Sequence, residues 1–246
     1  MYFSKFPTIN YPYNSKSDIK TAVDILKRIG IRENIKNDFS VWEKYTVVDG
    51  EKPESLAFKL YGDTTLHWVV LMMNEIIDPY HEWPMTSSQL DNMVKKEYPG
   101  QAYFVDPTTL KGGDFKPSET LKQGTKTAKI LDWDPTLMKI VVDDVSKPFS
   151  VDILVESGTT TAILKRTVLQ NKSALHHFED ADGNYLEPFD KIQNYVGGGN
   201  NNVITNYEYE LSKNDARREI RLLQPSKLAP LMREMTSVLK SRRRKG

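Results

Sequence analysis

The sequence predicts an α+β protein, and three observations carry that prediction. Residues 56–84 hold two short helical patterns separated by a glycine. Residues 99–175 are a succession of Val-, Ile- and Thr-rich runs between turn signals. Residues 228–239 carry an amphipathic stripe. Four parts follow: an extended arm (1–16), a helix plus a βααβ core (17–98), an inserted small all-β domain, barrel or sandwich (99–175), and a closing hairpin, Gly/Asn loop and helix (176–246).

The arm has three tyrosines and two phenylalanines among Pro and Asn. It is too short and proline-broken to own a core, so it lies on its own domain or on a neighbour. A helix is expected over 17–38: Ser17 caps it, Asp18 complements its dipole, Ile19, Ala22, Val23, Leu26 and Ile29 recur at helical spacing, and Gly30 stops it. The core then opens with a strand from Tyr45 to Val48 and a turn at Asp49-Gly50. Its first helix starts at Pro53, suited to a first turn, and stops at Gly62. Asp63, Thr64 or Thr65 launches the second, whose LHWVVLMM run is apolar at every position but one. A helix apolar on all sides is buried on more than one flank, by its own sheet and by a second domain or another protein. A closing extended segment is expected from Asp78-Pro79-Tyr80 to Trp83-Pro84, followed by a helix from Thr86 to about Tyr98 with Leu90, Met93 and Val94 on its buried side.

Beyond residue 99, TAKILDW, LMKIVVDDV, PFSVDILVE and TTTAILKRTVLQ read as four or five strands. This domain is a peripheral spacer or a docking module. A hairpin turning at Asp182-Gly183 and a mobile GGGNNN loop at 197–202 come next. Pro230 fits a first helical turn, so the last helix is expected to begin there, with Leu228, Leu231, Met232, Met235 and Val238 or Leu239 on one stripe. It folds back on the domain or lies in a partner's groove.

Several function classes are disfavoured. The 246 residues balance 34 Lys and Arg against 33 Asp and Glu, so no global field steers the chain to nucleic acid or membrane. Cysteine is absent, which removes thiolate metal sites and thiol nucleophiles. No signal-peptide pattern and no run of eighteen apolar residues is present. His176 and His177, near Glu179, Asp180 and Asp182, read as turn chemistry, because adjacent strand residues point to opposite faces and DADG lacks the remaining calcium-loop positions. Asp78, His81 and Glu82 come with no nucleophile motif, GGGNNN lacks the ending of a phosphate loop, and the terminal RRRK reads as a solvated tail. His67 reads as a hydrogen-bonded packing residue. Neither an enzyme nor a cofactor or metal site is expected.

Two resemblances add to this reading. YTVVDGEKPESLA followed by LYGD resembles the opening of a LysM module. Tyr61-Gly62, Leu66, Trp68-Val69, Leu71-Met72, Asn74, Asp78-Pro79-Tyr80 and Trp83 are similar to the LysM-like core of the gene product fifty-three family, baseplate wedge subunits of T-even-like contractile-tailed bacteriophages. The likeness covers residues 1–98 and 174–240, and the family pattern has nothing matching the all-β segment between them. It implies a virion protein of the tail baseplate, assembled in the host cytoplasm, that clamps the inner wedge and joins neighbouring wedges into a ring around the hub. It implies as partners the larger iris-forming wedge scaffold subunit and the lysozyme-like sheath initiator. Trp68, Met72, Tyr80 and Trp83 are then candidates for the protein interface, since interfaces favour aromatic and Met side chains. The alternative is a peptidoglycan-binding LysM module of a phage adhesin or lysin.

Overall fold

The computed structural model describes residues 6–14, 18–25, 30–31, 38–143, 147–189, 191–199 and 202–241. Helices and strands are mixed, as an α+β chain requires, and the chain forms two compact units, Met1–Thr86 with Asp215–Gly246 and Ser87–Asn214.

The first unit begins with a hairpin, β1 (Thr8–Pro12) paired antiparallel with β2 (Ile19–Val23). This corrects the helix expected over 17–38. Spacing of i and i+4 puts two residues on one face of a strand as well as of a helix, and Ile19, Thr21 and Val23 are β-branched at alternate positions. Residues 26–29 and 32–37 lie outside the described residues. All ten strand residues of the hairpin are exposed.

β3 (Trp42–Thr46) lies three residues upstream of the expected strand start, and the chain turns at Asp49-Gly50. α1 (Pro53–Tyr61) has Pro53 in its first turn and ends on Gly62 at φ +72°, whose N–H donates to Phe58 O. Positive φ there favours glycine. Asp63 accepts from Thr65 N and opens a short 3₁₀ turn, Thr64–Leu66, that runs into α2 (His67–Met73). The expected closing strand at 78–84 is instead a helical turn, α3 (Pro79–Glu82), capped by Asp78 with Pro79 at its start. An Asp N-cap before Pro is a helix opening, which the extended reading overlooked.

The strand that pairs with β3 comes from far along the chain. β13 (Glu219–Leu223) runs antiparallel to it, with Ile220 opposite Tyr45 and Leu223 opposite Trp42. α7 (Pro225–Ser241) follows and carries Pro230 inside it, so the helix starts five residues before the expected position. Pro225 occupies the first turn, and Pro230 forgoes one backbone bond near that end. Leu231, Met235 and Leu239 are buried, so this helix covers its own unit. One core gathers Trp42, Trp68, Val69 and Met73 with Leu223, Leu231 and Met235; another gathers Val47, Leu56, Val70 and Trp83 with Ile220 and Leu222.

The second unit opens with α4 (Ser87–Glu97), Leu90 and Val94 buried. Its centre is a closed antiparallel barrel of six strands in the order β4-β7-β6-β5-β8-β9. The strands are β4 (Gln101–Val105), β5 (Thr120–Gln123), β6 (Lys126–Asp134), β7 (Lys139–Val142), β8 (Leu154–Ser157) and β9 (Thr160–Val168). Closure removes free edges. Tyr103 and Val105 of β4 point into the barrel with Phe115, Leu121, Ile130 and Leu164. Ala102 and Phe104 serve a second cluster with Phe178 and Tyr195, so β4 is buried on both faces and reads as an unbroken apolar run. The Tyr103 hydroxyl donates to Gln101 Oε1 at 2.8 Å and accepts from Phe149 N at 3.2 Å. At Gly100 (φ +80°) an added Cβ would lie 2.0 Å from Val142 O.

A three-stranded sheet follows, β10 (Leu175–Glu179) between β11 (Tyr185–Leu186) and β12 (Val203–Thr205). Its hairpin turns at 180–184, where Asp180 Oδ1 accepts from the backbone N–H groups of Asp182 and Asn184. The Gly part of GGGNNN is pinned rather than loose: Gly197, Gly198 and Gly199 donate to the carbonyls of Gln193, Tyr195 and Asn194 in α5 (Ile192–Val196), and Arg166 Nη1 donates to Tyr195 O and Gly199 O. Asn200 and Asn201 lie outside the described residues. α6 (Asn206–Arg218) buries Asn206 and Asn214 rather than an apolar stripe. Among the described residues no helix is long and apolar enough to cross a membrane.

Candidate protein interface

The signature residues of the first unit separate into those that hold the fold and those that face outward. Asn74 ends α2 and mimics a strand partner: Nδ2 donates to Val70 O and Arg221 O, both at 2.8 Å, and Oδ1 accepts from Arg221 N at 2.7 Å. The Tyr61 hydroxyl donates to Leu223 O at 2.8 Å, and burial, with Glu43 adding to it, pushes this phenol up to about 12. Arg218 donates to Val47 O, Asp49 Oδ1 and Met85 O, closing the turn between β3 and α1. Neither Asn74 nor Arg218 stood out as a clamp from sequence, because each acts through backbone far away in the chain.

The four candidate interface residues part company. Trp68 and Trp83 are 7% and 8% exposed and belong to the two cores, the Trp83 indole donating to Glu51 O at 2.8 Å. Met72 is half-buried against the Trp68 cluster. Tyr80 is 88% exposed, and Ile77, three residues before it, is 85% exposed. The turn that displays them is firmly built. Glu82 Oε2 accepts from Ile77 N and Asp78 N; Asp78 accepts from Tyr80 N and, at 2.6 Å, pairs with His81 Nδ1. The His81 contact, against a smaller opposing effect of burial, holds the Asp78 carboxyl below its usual value. Arg217 Nη1 donates to His81 O at 3.0 Å beside a cleft of about 360 Å³ lined by Asn74, Glu82 and Glu219. Asp78, His81 and Glu82 thus spend their polar atoms on the turn itself. The turn thus presents two large apolar side chains, Ile77 and Tyr80, to water.

In the second unit the two histidines do not point to opposite faces. A register shift between Leu175 and His177 bulges β10 and brings the rings together, His176 Nδ1 lying 2.8 Å from His177 Nδ1. His177 Nε2 meets Glu179 Oε1 at 2.7 Å, and the His176 ring stacks on Tyr209 at 3.9 Å. His67 Nδ1 lies 3.0 Å from Thr64 O. Among the described residues no group of three or more His, Cys, Asp or Glu side chains is placed to hold a metal ion.

A relative, the baseplate wedge protein gp53 of Enterobacteria phage T4, is 44% identical over 39 residues, 16% of this chain. The chain spans about a fifth of the length of that curated relative, 20%. The model of a family described as base plate wedge protein 53 matches residues 1–101 of this chain.

Proposed function

We propose that this protein is a structural component of a phage tail baseplate, located in the virion and acting by binding other wedge proteins rather than by catalysis. The observation that carries the reading is the family match over residues 1–101, a segment that includes both the buried Trp68 and the exposed Ile77-Tyr80 turn. On this reading the protein clamps the inner wedge and joins neighbouring wedges into a ring around the hub. Its partners are the larger iris-forming scaffold subunit and the lysozyme-like sheath initiator. Tyr80 makes the docking contact with Met72 at its margin, while Trp68 and Trp83 set the turn from behind. Several modest contacts per copy, repeated around a ring, gain strength from multivalency.

The core itself is proposed to be a LysM-like βααβ unit whose closing strand is β13. The support is the antiparallel pairing of β3 with β13 around α1 and α2. A glycan groove over α2 would need polar groups where Trp68, Val69, Val70 and Met73 are packed, so the wall-binding alternative gains no support. Negative-stain electron microscopy of lysates from a phage with this gene disrupted tests the function. Free wedges or heads without sheathed tails are expected; complete tailed particles that fail only at the cell wall would overturn the proposal.

A further inference from the structure

The His176–His177 pair is not explained by docking or by turn chemistry. Two imidazole nitrogens 2.8 Å apart can share one proton, as donor and acceptor, but cannot each carry one without two N–H groups colliding. His177 is fixed from its other side, where Nε2 faces Glu179 Oε1, and its ring is stacked with Tyr185 of β11. His176 lies flat on Tyr209 of α6, with ring planes 16° apart. We propose that the two histidines form an acid-sensitive latch between β10 and α6, closed while one proton is shared across the facing Nδ1 atoms and open when each Nδ1 holds its own.

The surrounding charges are consistent with that direction. Burial first, then His177 and Lys139 of β7, hold His176 below the ordinary imidazole value; Glu210 of α6 opposes this and Lys213 of α6 adds to it. Asp134 at the end of β6 lines the same cleft of about 430 Å³ with both histidines, Tyr185 and Tyr209. β12 brings only Val203, Ile204 and Thr205, with no titratable group. Because the folded value is depressed, the latch contributes fully above the unfolded imidazole value of 6.5, and its contribution is lost as pH falls through the folded value. Opening frees the His176 ring from Tyr209 and relaxes the bulge, at the root of the helix that runs on into β13.

Amide exchange by NMR, corrected for the intrinsic pH effect and compared at about pH 7.5 and about pH 5, reads the latch directly. Protection of β10 and the first two turns of α6 is expected to fall about tenfold or more at the lower pH, while barrel amides stay unchanged. His176→Phe keeps a ring over Tyr209 but cannot be protonated, and its protection should be independent of pH in this range. Unchanged protection in the unsubstituted protein across the titration of His176 would overturn the proposal. So would a His176→Phe protein that keeps the full pH dependence. Should that variant not fold, the titration of the unsubstituted protein decides alone.

Discussion

The two units bury comparable kinds of side chain by opposite routes. The barrel is written almost continuously, β4 to β9 between residues 101 and 168, each strand pairing with a neighbour nearby in the chain or closing the ring. The first unit's core joins residues 31–83 to residues 220–235, more than a hundred positions away. The lesson is that the family-matched segment 1–101 is not a self-sufficient folding unit: its sheet lacks a second strand without β13, and the Trp68 cluster lacks a floor without α7. Long-range closure of this kind is entropically demanding, and it concentrates the unit's stability in a few distant contacts.

Truncation after Arg218 breaks the comparison most severely. Of the four tryptophans, Trp42, Trp68 and Trp83 belong to the first unit's cores, while Trp133, bonded through Nε1 to Asp114 Oδ1 at 3.0 Å, packs against the barrel core. The three indole NMR signals of the first unit should collapse to unfolded positions while Trp133 keeps its native shift. Loss of all four, or retention of all four, would show the contrast between the units to be false. Gly100→Ala strikes the other side. A Cβ 2.0 Å from Val142 O at positive φ forces the β4–β7 pair apart, at a cost of about 4 kcal/mol or more, and thermal melting followed at Trp133 should drop while the first unit's indoles hold.

Much of the first unit was legible in the sequence because its signals are local. Pro53 and Gly62 mark α1 by backbone chemistry alone, and the Asp63 carboxylate caps the next turn by accepting from Thr65 N. What was not legible depends on distant partners or on signals shared by two structures. Ile19 and Val23 share a face in both a helix and a strand, and pairing with Thr8–Pro12 decides for the strand. β13 cannot be recognised as a core strand until β3 lies beside it, and α6 offers buried asparagines where a helix search looks for an apolar stripe. At the candidate interface, Trp68 and Tyr80 look alike as aromatic residues; only burial separates the structural residue from the displayed one. The contact between the His176 and His177 rings is not legible because alternation along a strand fails at a bulge.

Asn74→Ala sharpens the account at a single contact. It removes both hydrogen bonds to Arg221 and leaves backbone groups unsatisfied, so chemical denaturation should show about 1–3 kcal/mol lost from the first unit and nothing from the barrel. A smaller effect belongs to acid. Burial disfavours the Glu51 carboxylate, but hydrogen bonds from Lys59, Tyr45 and Val48 N outweigh it and hold its pKa below 4.5. Its contribution is therefore complete above about pH 4.5 and lost as pH falls through the lower folded value. Glu51→Gln should flatten that acid limb in the first unit's melting profile and leave the profile of the second unit as it was.

The most direct measurement is complementation of the gene-disrupted phage with Tyr80→Asp, scored by electron microscopy and by the purified protein's melting temperature. Tyr80 is 88% exposed, so the melting temperature should stay within about 1–2 °C of the original while baseplates fail to close and free wedges accumulate. Normal tailed particles carrying the Tyr80→Asp protein would contradict the docking role of this turn.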